Sequence, residues 1–270
     1  MEFSDAVNVM RIAHISDLHI SATGKTFGVA PMAENLAKVV AHINGLNPDL
    51  VLVTGDIANN AERAETGRAA DILAKLDAPF FLTPGNHDDR NILKTAFSQA
   101  VIPTTESKHL SYAVDVGHMR IISLDSSDPD APNGRICPAR AAWLDAQLLL
   151  SSKPTLIFMH HPPMKCAVEE TDRPALEGAD LMGDVVERHP QIQRILCGHI
   201  HLMVQATWRG CHVCSAPSMG MRLNWTPNQL TTSRFLLSPP AYLWHMLNED
   251  GAFITHEFTL DSPAGPFDFA

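Results

Sequence analysis

Short apolar runs alternate along the chain with segments whose apolar positions recur at helical spacing. Met10 to Ile15 reads as a short strand running into Ser16-Asp17. From Met32 to Leu46, the residues Met32, Leu36, Val39, Val40 and Ile43 share one helical face, with Pro31 suited to the first turn and Gly45 near the stop. Leu50 to Val53 is a continuous apolar strand, the pattern of one covered on both faces. Asn60 is placed to cap the next helix, whose inner face is Ala69, Ile72, Leu73 and Leu76. The run Pro79 to Leu82 reads as a buried strand, followed by a short helix carrying Ile92, Leu93 and Phe97.

Further on, Leu110 to Val116 and Met119 to Leu124 predict a hairpin turned at Gly117-His118. A helix starts near Pro138 with Trp143, Leu144 and Leu148 inside, and Thr155 to Met159 is another buried strand. Asp180 to Arg188 is a helix stopped before Pro190, and Ile192 to Cys197 a strand. From Val204 the pattern is mostly β, ending in alternating segments at Tyr242 to Leu247 and Ala252 to Leu260. With no internal repeat or linker-like shift in composition, residues 1–270 are expected to form a single α/β domain.

Composition changes this picture mainly by exclusion. Apolar residues make up 45% and charged ones 19%, as in an ordinary globular chain, and the net charge of -10 argues against a surface for nucleic acid polymers. A small anionic substrate is not excluded, because a bound metal can dominate the local field. No apolar stretch is long enough to span a bilayer, and the N-terminus lacks the features of a signal peptide, so no membrane attachment is expected. Five cysteines make no disulfide framework. Cys211 and Cys214 lie three apart in a strand and so face opposite sides, which favours a structural role and a reduced, cytoplasmic protein.

The candidate chemistry sits where the strands end. The first predicted strand ends in Asp17-Leu18-His19, the second in Gly55-Asp56, and the third in Gly85-Asn86-His87-Asp88. Later strands end in His160-His161 and in Gly198-His199-Ile200-His201. Each ending alone has a plain structural explanation as a loop cap, a turn residue or a hydrogen-bonded core histidine. Five apolar strands each delivering Asp, Asn or His at the carboxyl end, where open α/β sheets bind ligands, point to one site.

Carboxylate, imidazole and amide oxygen without thiolate suit manganese, iron or zinc rather than a structural zinc cage. At i and i+2 on a strand face, Asp17 and His19 can point at one ion, and so can His199 and His201. Counting Asp17, His19, Asp56, Asn86, His160, His199 and His201 gives seven ligands, too many for one ion and right for two sharing a carboxylate. Two carboxylates against two cations leave a positive surplus, which attracts a phosphate ester and acidifies bound water.

These endings, DxH, GD, GNHD, a lone His and GHxH, resemble those of the calcineurin-like metallophosphoesterases, from Asp17 to His201. The resemblance implies a four-layer sandwich of two mixed β-sheets flanked by helices, with C-terminal β segments (about 203–260) completing the second sheet. It also implies a dinuclear centre, with iron and manganese as the first expectation and manganese or zinc as alternatives. Asp17, His19 and His201 would hold one ion, Asn86, His160 and His199 the other, and Asp56 would bridge them. Asn86 and His87 would bind substrate, with His87 as catalytic acid or phosphate-orienting group. His161 would be structural. Asp88 has two readings, orienting His87 or stabilising the turn.

LVLVTGDIANN, LTPGNHDDR, SLDSS, FMHHPP, ILCGHIH and FLLSPPAYLWHML resemble class III cyclic nucleotide phosphodiesterases and bacterial glycerophosphodiesterases. The implied function is hydrolysis of small phosphodiesters, cyclic nucleotides of the cAMP type first, by attack of a metal-bridging hydroxide on phosphorus. The alternatives are a glycerophosphodiesterase or a broad-specificity phosphomonoesterase. A noncatalytic metal-bound scaffold would be favoured by a lost ligand, and none is lost. The stretch SAPSMGMRLNWTPNQ carries no motif and is read as a substrate-facing loop, a homodimer contact or a surface connection.

Overall fold

A computed structural model describes residues 9–98, 100–103, 108–227, 234–248 and 251–261. The amino-terminal half builds β1 (Met10–Ile15), α1 (Met32–Leu46), β2 (Leu50–Val53), α2 (Arg63–Leu73), β3 (Phe80–Leu82), α3 (Arg90–Ala96), β4 (Tyr112–Val116) and β5 (Met119–Ser123). Then follow α4 (Pro138–Leu149), β6 (Thr155–Phe158), α5 (Glu169–Asp172), α6 (Ala179–Arg188) and β7 (Ile192–Cys197). The remainder is β: β8 (Val204–Trp208), β9 (Cys211–Ser215), β10 (Met221–Leu223), β11 (Phe235–Leu237), β12 (Ala241–Leu247) and β13 (Phe253–Thr259).

Two mixed sheets flanked by helices result. One has the order β13-β12-β1-β2-β3, the other β4-β5-β6-β7-β9-β8, and β10 and β11 pair with each other. Within the first, β1, β2 and β3 are parallel and β12 is antiparallel to β1. Within the second, β5, β6, β7 and β9 are parallel, with antiparallel strands at both edges. The carboxyl-terminal strands therefore do not complete a single sheet as expected: β8 and β9 extend one, while β12 and β13 extend the other. The reason lies in β12, buried at all but one position, which covers the edge of β1 left free by β2.

Strand alternation decides which core each side chain joins. In β6, Leu156 and Phe158 point into the core shared with the first sheet, while Ile157 packs under α4 and α6 with Leu144, Met182 and Val185. A sheet buried on both faces reads as an unbroken apolar run. Cys211 and Cys214 follow the same rule, joining opposite cores. On the other side of the molecule, α1 meets the first sheet where His42 Nδ1 lies 2.8 Å from Tyr242 OH.

Two helix boundaries differ from the sequence expectation. Glu62, not Asn60, occupies the N-cap of α2. Asn60 donates through Nδ2 to Glu65, whose carboxylate also accepts the Asn59 and Asn60 amides, so the acid in the first turn takes over the capping task. At the end of α1, Asn47 rather than Gly45 adopts the left-handed stop, with φ 49°. No described helix is long and apolar enough to cross a membrane.

Candidate metal centre

The loops after β1, β2 and β3 from one sheet and after β6 and β7 from the other converge on one floor. Their donor atoms fall into two triads. In the first, His19 Nε2 is 3.0 Å from His201 Nε2, which is 3.5 Å from Asp17 Oδ1. In the second, Asn86 Oδ1 is 3.1 Å from both His160 Nε2 and His199 Nδ1, which are 3.2 Å apart. Asp56 Oδ2 stands between them, 3.4 Å from His19 Nε2 and 3.4 Å from His160 Nε2.

Such spacing suits cations. Ligands at about 2.1 Å from an ion are separated by about 3.0 Å at right angles and about 3.4 Å in a tetrahedron. The buried Nδ1 of His19 has no hydrogen-bond partner among the described residues. Two other imidazoles are oriented from behind: His160 Nδ1 is 2.7 Å from the Thr54 carbonyl and His201 Nδ1 is 2.7 Å from that of Met221. Donating Nδ1–H to a carbonyl leaves the Nε2 lone pair facing the floor. The donor set fits two metal ions.

The backbone is strained at the same places. Asp17, His19, Asp56, His199 and His201 all have φ between 42° and 72°, a left-handed region that costs free energy for residues with a side chain. This overturns the expectation that residues two apart share a strand face here. Asp17 and His19 lie beyond the end of β1, and His199 and His201 beyond β7. Left-handed turns bring the first pair to one triad and send the second pair to different ones.

The glycines ahead of these residues serve contacts between loops. A Cβ on Gly85 would collide with the Asp56 carboxylate, and one on Gly198 with the Ser16 hydroxyl and the Thr54 carbonyl. Further hydrogen bonds tie the floor together. Both Asp17 carboxylate oxygens accept from the His199 amide at 3.1 Å, and Asp56 Oδ1 accepts from the His87 amide at 2.9 Å. Burial raises the Asp56 carboxyl pKa, but His160 and His19 outweigh it and hold the group well below the usual range. Burial pushes His199 down to about 3, so its imidazole is neutral and able to ligate.

His161 lies within reach of His160 and His199. Both of its nitrogens are nevertheless engaged, Nε2 with the Pro132 carbonyl at 2.9 Å and Nδ1 with Ser126 Oγ at 2.8 Å. Asp88 accepts from the Gly85, Ile57 and Ala58 amides at 2.9–3.1 Å, so of its two readings the turn-stabilising one matches its contacts. His87 lies beside His19, with ring centroids 4.7 Å apart, and its Nδ1 is 2.6 Å from the Asn59 carbonyl. Its Nε2 is thereby left for chemistry in the cleft.

Above the floor is a cleft of about 560 Å³ whose lining also includes Phe27, Ile200, Met221, Leu223 and Phe235. Met221 and Leu223 of the motif-free stretch line the cleft, while its Ala216 and Met219 are in the core; Asn228 and Gln229 lie outside the described residues. Sequence reasoning missed the partners of the ligands. Thr54 and Met221 act through backbone carbonyls, which no side-chain pattern reveals. Ser218, whose hydroxyl donates to the Asp17 carbonyl at 3.0 Å, left no signal either. Arg90 did: it stands in LTPGNHDDR and pairs with Asp125 of SLDSS through Nε at 2.6 Å and a second nitrogen at 3.2 Å.

Residues 10–203 match the profile of the calcineurin-like phosphoesterases. The chain belongs to that family. Among its relatives, this calcineurin-like phosphoesterase is 33% identical to the glycerophosphodiester phosphodiesterase GpdQ of Enterobacter lignolyticus, over 96% of this chain and 94% of the relative. It is 30% identical to the 3′,5′-cyclic adenosine monophosphate phosphodiesterase CpdA of Vibrio vulnificus, over 78% and 77% of the two chains. The phosphoesterase fold is matched by a dimetal phosphatase from Danio rerio, with a TM-score of 0.67 and 17% identity over 89% of this chain and 93% of that one.

Proposed function

We propose that the chain is a metal-dependent hydrolase of small phosphodiesters, with cyclic nucleotides as the leading substrates. The observation that carries this reading is the pair of triads sharing Asp56 Oδ2 at 3.4 Å on either side. Asp17, His19 and His201 would hold one ion and Asn86, His160 and His199 the other; the oxygen and nitrogen donors suit manganese, iron or zinc, and the family resemblance points to iron and manganese. Two bound ions supply Lewis acidity to the phosphate and lower the pKa of water.

The chain's own residues do the rest. Asn86 and His87 border the cleft and bind the ester oxygens. With Nδ1–H donated to the Asn59 carbonyl, His87 acts as an acid in its imidazolium form, whose second proton, on Nε2, passes to the leaving oxygen as the ester bond breaks. Asp56 fixes the His87 backbone through its amide, coupling the bridge to the acid.

Glycerophosphodiester hydrolysis is the second reading, supported by the relative that aligns with 96% of the chain. None of the five cysteines is paired, which fits a cytoplasmic setting. The test is a panel of diesters and monoesters on metal-reconstituted protein. Bis-aryl phosphate should turn over faster than mono-aryl phosphate at matched concentration. Faster monoester turnover would refute the diesterase reading.

A further inference from the structure

The lining of the cleft contains a residue that the fold does not account for. Phe27 is 61% exposed, so burial gives little reason for an aromatic ring there. Its backbone is left-handed at φ 50°, and that of Gly28 at φ 73°. With Val29 N donating to the Thr26 carbonyl at 3.2 Å, Thr26 to Val29 form a turn with positive φ at both central positions. Turns of this type favour Asn, Asp or Gly at the first central position, and a bulky residue there is an outlier. Phe27 thus goes against local backbone preference while exposing most of its ring.

The turn is held firmly in register with the metal floor. Thr26 pairs with Ala30 in an antiparallel bridge, and its buried hydroxyl donates to the His19 carbonyl at 2.6 Å. Phe27 follows directly and touches Phe235 across the cleft mouth, ring centroids 5.8 Å apart. The phosphate site and the aromatic edge are therefore fixed relative to each other. Resting on the phosphodiesterase reading of the floor, we infer that Phe27 is a specificity-determining residue, whose ring stacks on a flat, apolar ester group such as a nucleobase or an aryl ring. A glycerol-type group has no face to offer it. Stacking on an aromatic side chain tolerates any base, so Phe27 selects nucleotides over glycerol esters without choosing among bases.

Phe27→Asn separates this role from a structural one, because the two predict opposite results. Asn suits the turn, so the melting temperature should rise by about 2–4 °C. Adenosine 5′-monophosphate should bind the manganese-loaded full chain about tenfold more weakly by calorimetry, and glycerol 3-phosphate less than about threefold. Phe27→Tyr should hold nucleotide affinity within about threefold of the parent. Unchanged nucleotide affinity, or equal weakening of both ligands, would overturn the inference. So would a change in sedimented mass with nucleotide affinity intact, which would make Phe27 a subunit contact. A parent chain that prefers the nucleotide in binding but hydrolyses no diester would refute the phosphodiesterase reading and leave the role of Phe27 standing. One that cleaves glycerol diesters without nucleotide preference would do the reverse.

Discussion

His87 and Asp56 are linked by a single hydrogen bond, yet their removal should look quite different. The His87 ring lies beside His19 and within reach of Asp56, but its Nδ1 is engaged by the Asn59 carbonyl and it belongs to neither triad as proposed. His87→Ala should keep both ions in elemental analysis. It should lose activity by about 10²–10⁴-fold on a ribose-type leaving group and far less on nitrophenolate, which departs without a proton. Asp56→Ala removes the oxygen between the triads and the acceptor of the His87 amide. It should drop metal content to one ion or fewer and cost about 10³-fold or more on both substrates, since the charge stabilisation itself is lost. Metal loss in His87→Ala would show that His87 is a ligand. At this scale the sequence was most informative where chemistry restricts the residue type. Asp17, His19, Asp56, Asn86, His160, His199 and His201 are legible because so few side chains offer lone pairs. The left-handed backbone beneath five of them is not, because Asp and His, though enriched in that region, adopt it in only a small minority of positions.

Strands β1, β2, β3, β6 and β7 stop where a donor must leave the sheet, and the periodicity that reveals each strand ends there too. This is why β2 and β7 were legible almost to the residue, while the partner of β12 was not: pairing with β1 lies across most of the chain. The support between elements is equally non-local. Arg90 at the start of α3 pairs with Asp125 beyond β5, whose carboxylate also accepts the Leu110 and Ser127 amides. The same guanidinium reaches Ser127 Oγ at 2.8 Å, so the loop carrying Asn86 and His87 is braced against the second sheet. Burial raises the Asp125 pKa, but Arg90 outweighs it and the net direction is down. The folded value then lies below the unfolded one of about 3.9. The stabilisation is complete above that value and disappears as pH falls through the lower, folded one. Asp125→Ala strands a largely buried cation and should cost about 3–5 kcal/mol in urea unfolding at pH 7. The deficit relative to the parent should shrink steadily below about pH 4. A pH-independent difference would mean that the pair contributes little.

Across the whole molecule, the two sheets share a core but no strand, and they also meet at the donor floor and where Arg194 of β7 donates to the Phe253 carbonyl of β13 at 3.1 Å. His19 and His201, both in the first triad, are 182 positions apart. An ion bound to both acts as a reversible cross-link closing a loop of that length. By the chain-entropy relation for covalent cross-links, such a closure is worth about 5 kcal/mol against the unfolded ensemble. The ions would then govern cooperativity as well as chemistry. Calorimetry of the metal-loaded chain should give one sharp transition. Chelation should lower and broaden it, and amide exchange should quicken at the ends of β3 and β7 before it does in the strand centres. If the chelated chain keeps a transition of the same width, the sheets are locked by their shared core alone. Otherwise the ions act as a clasp on a loop of 182 residues, and their loss unfastens one sheet from the other.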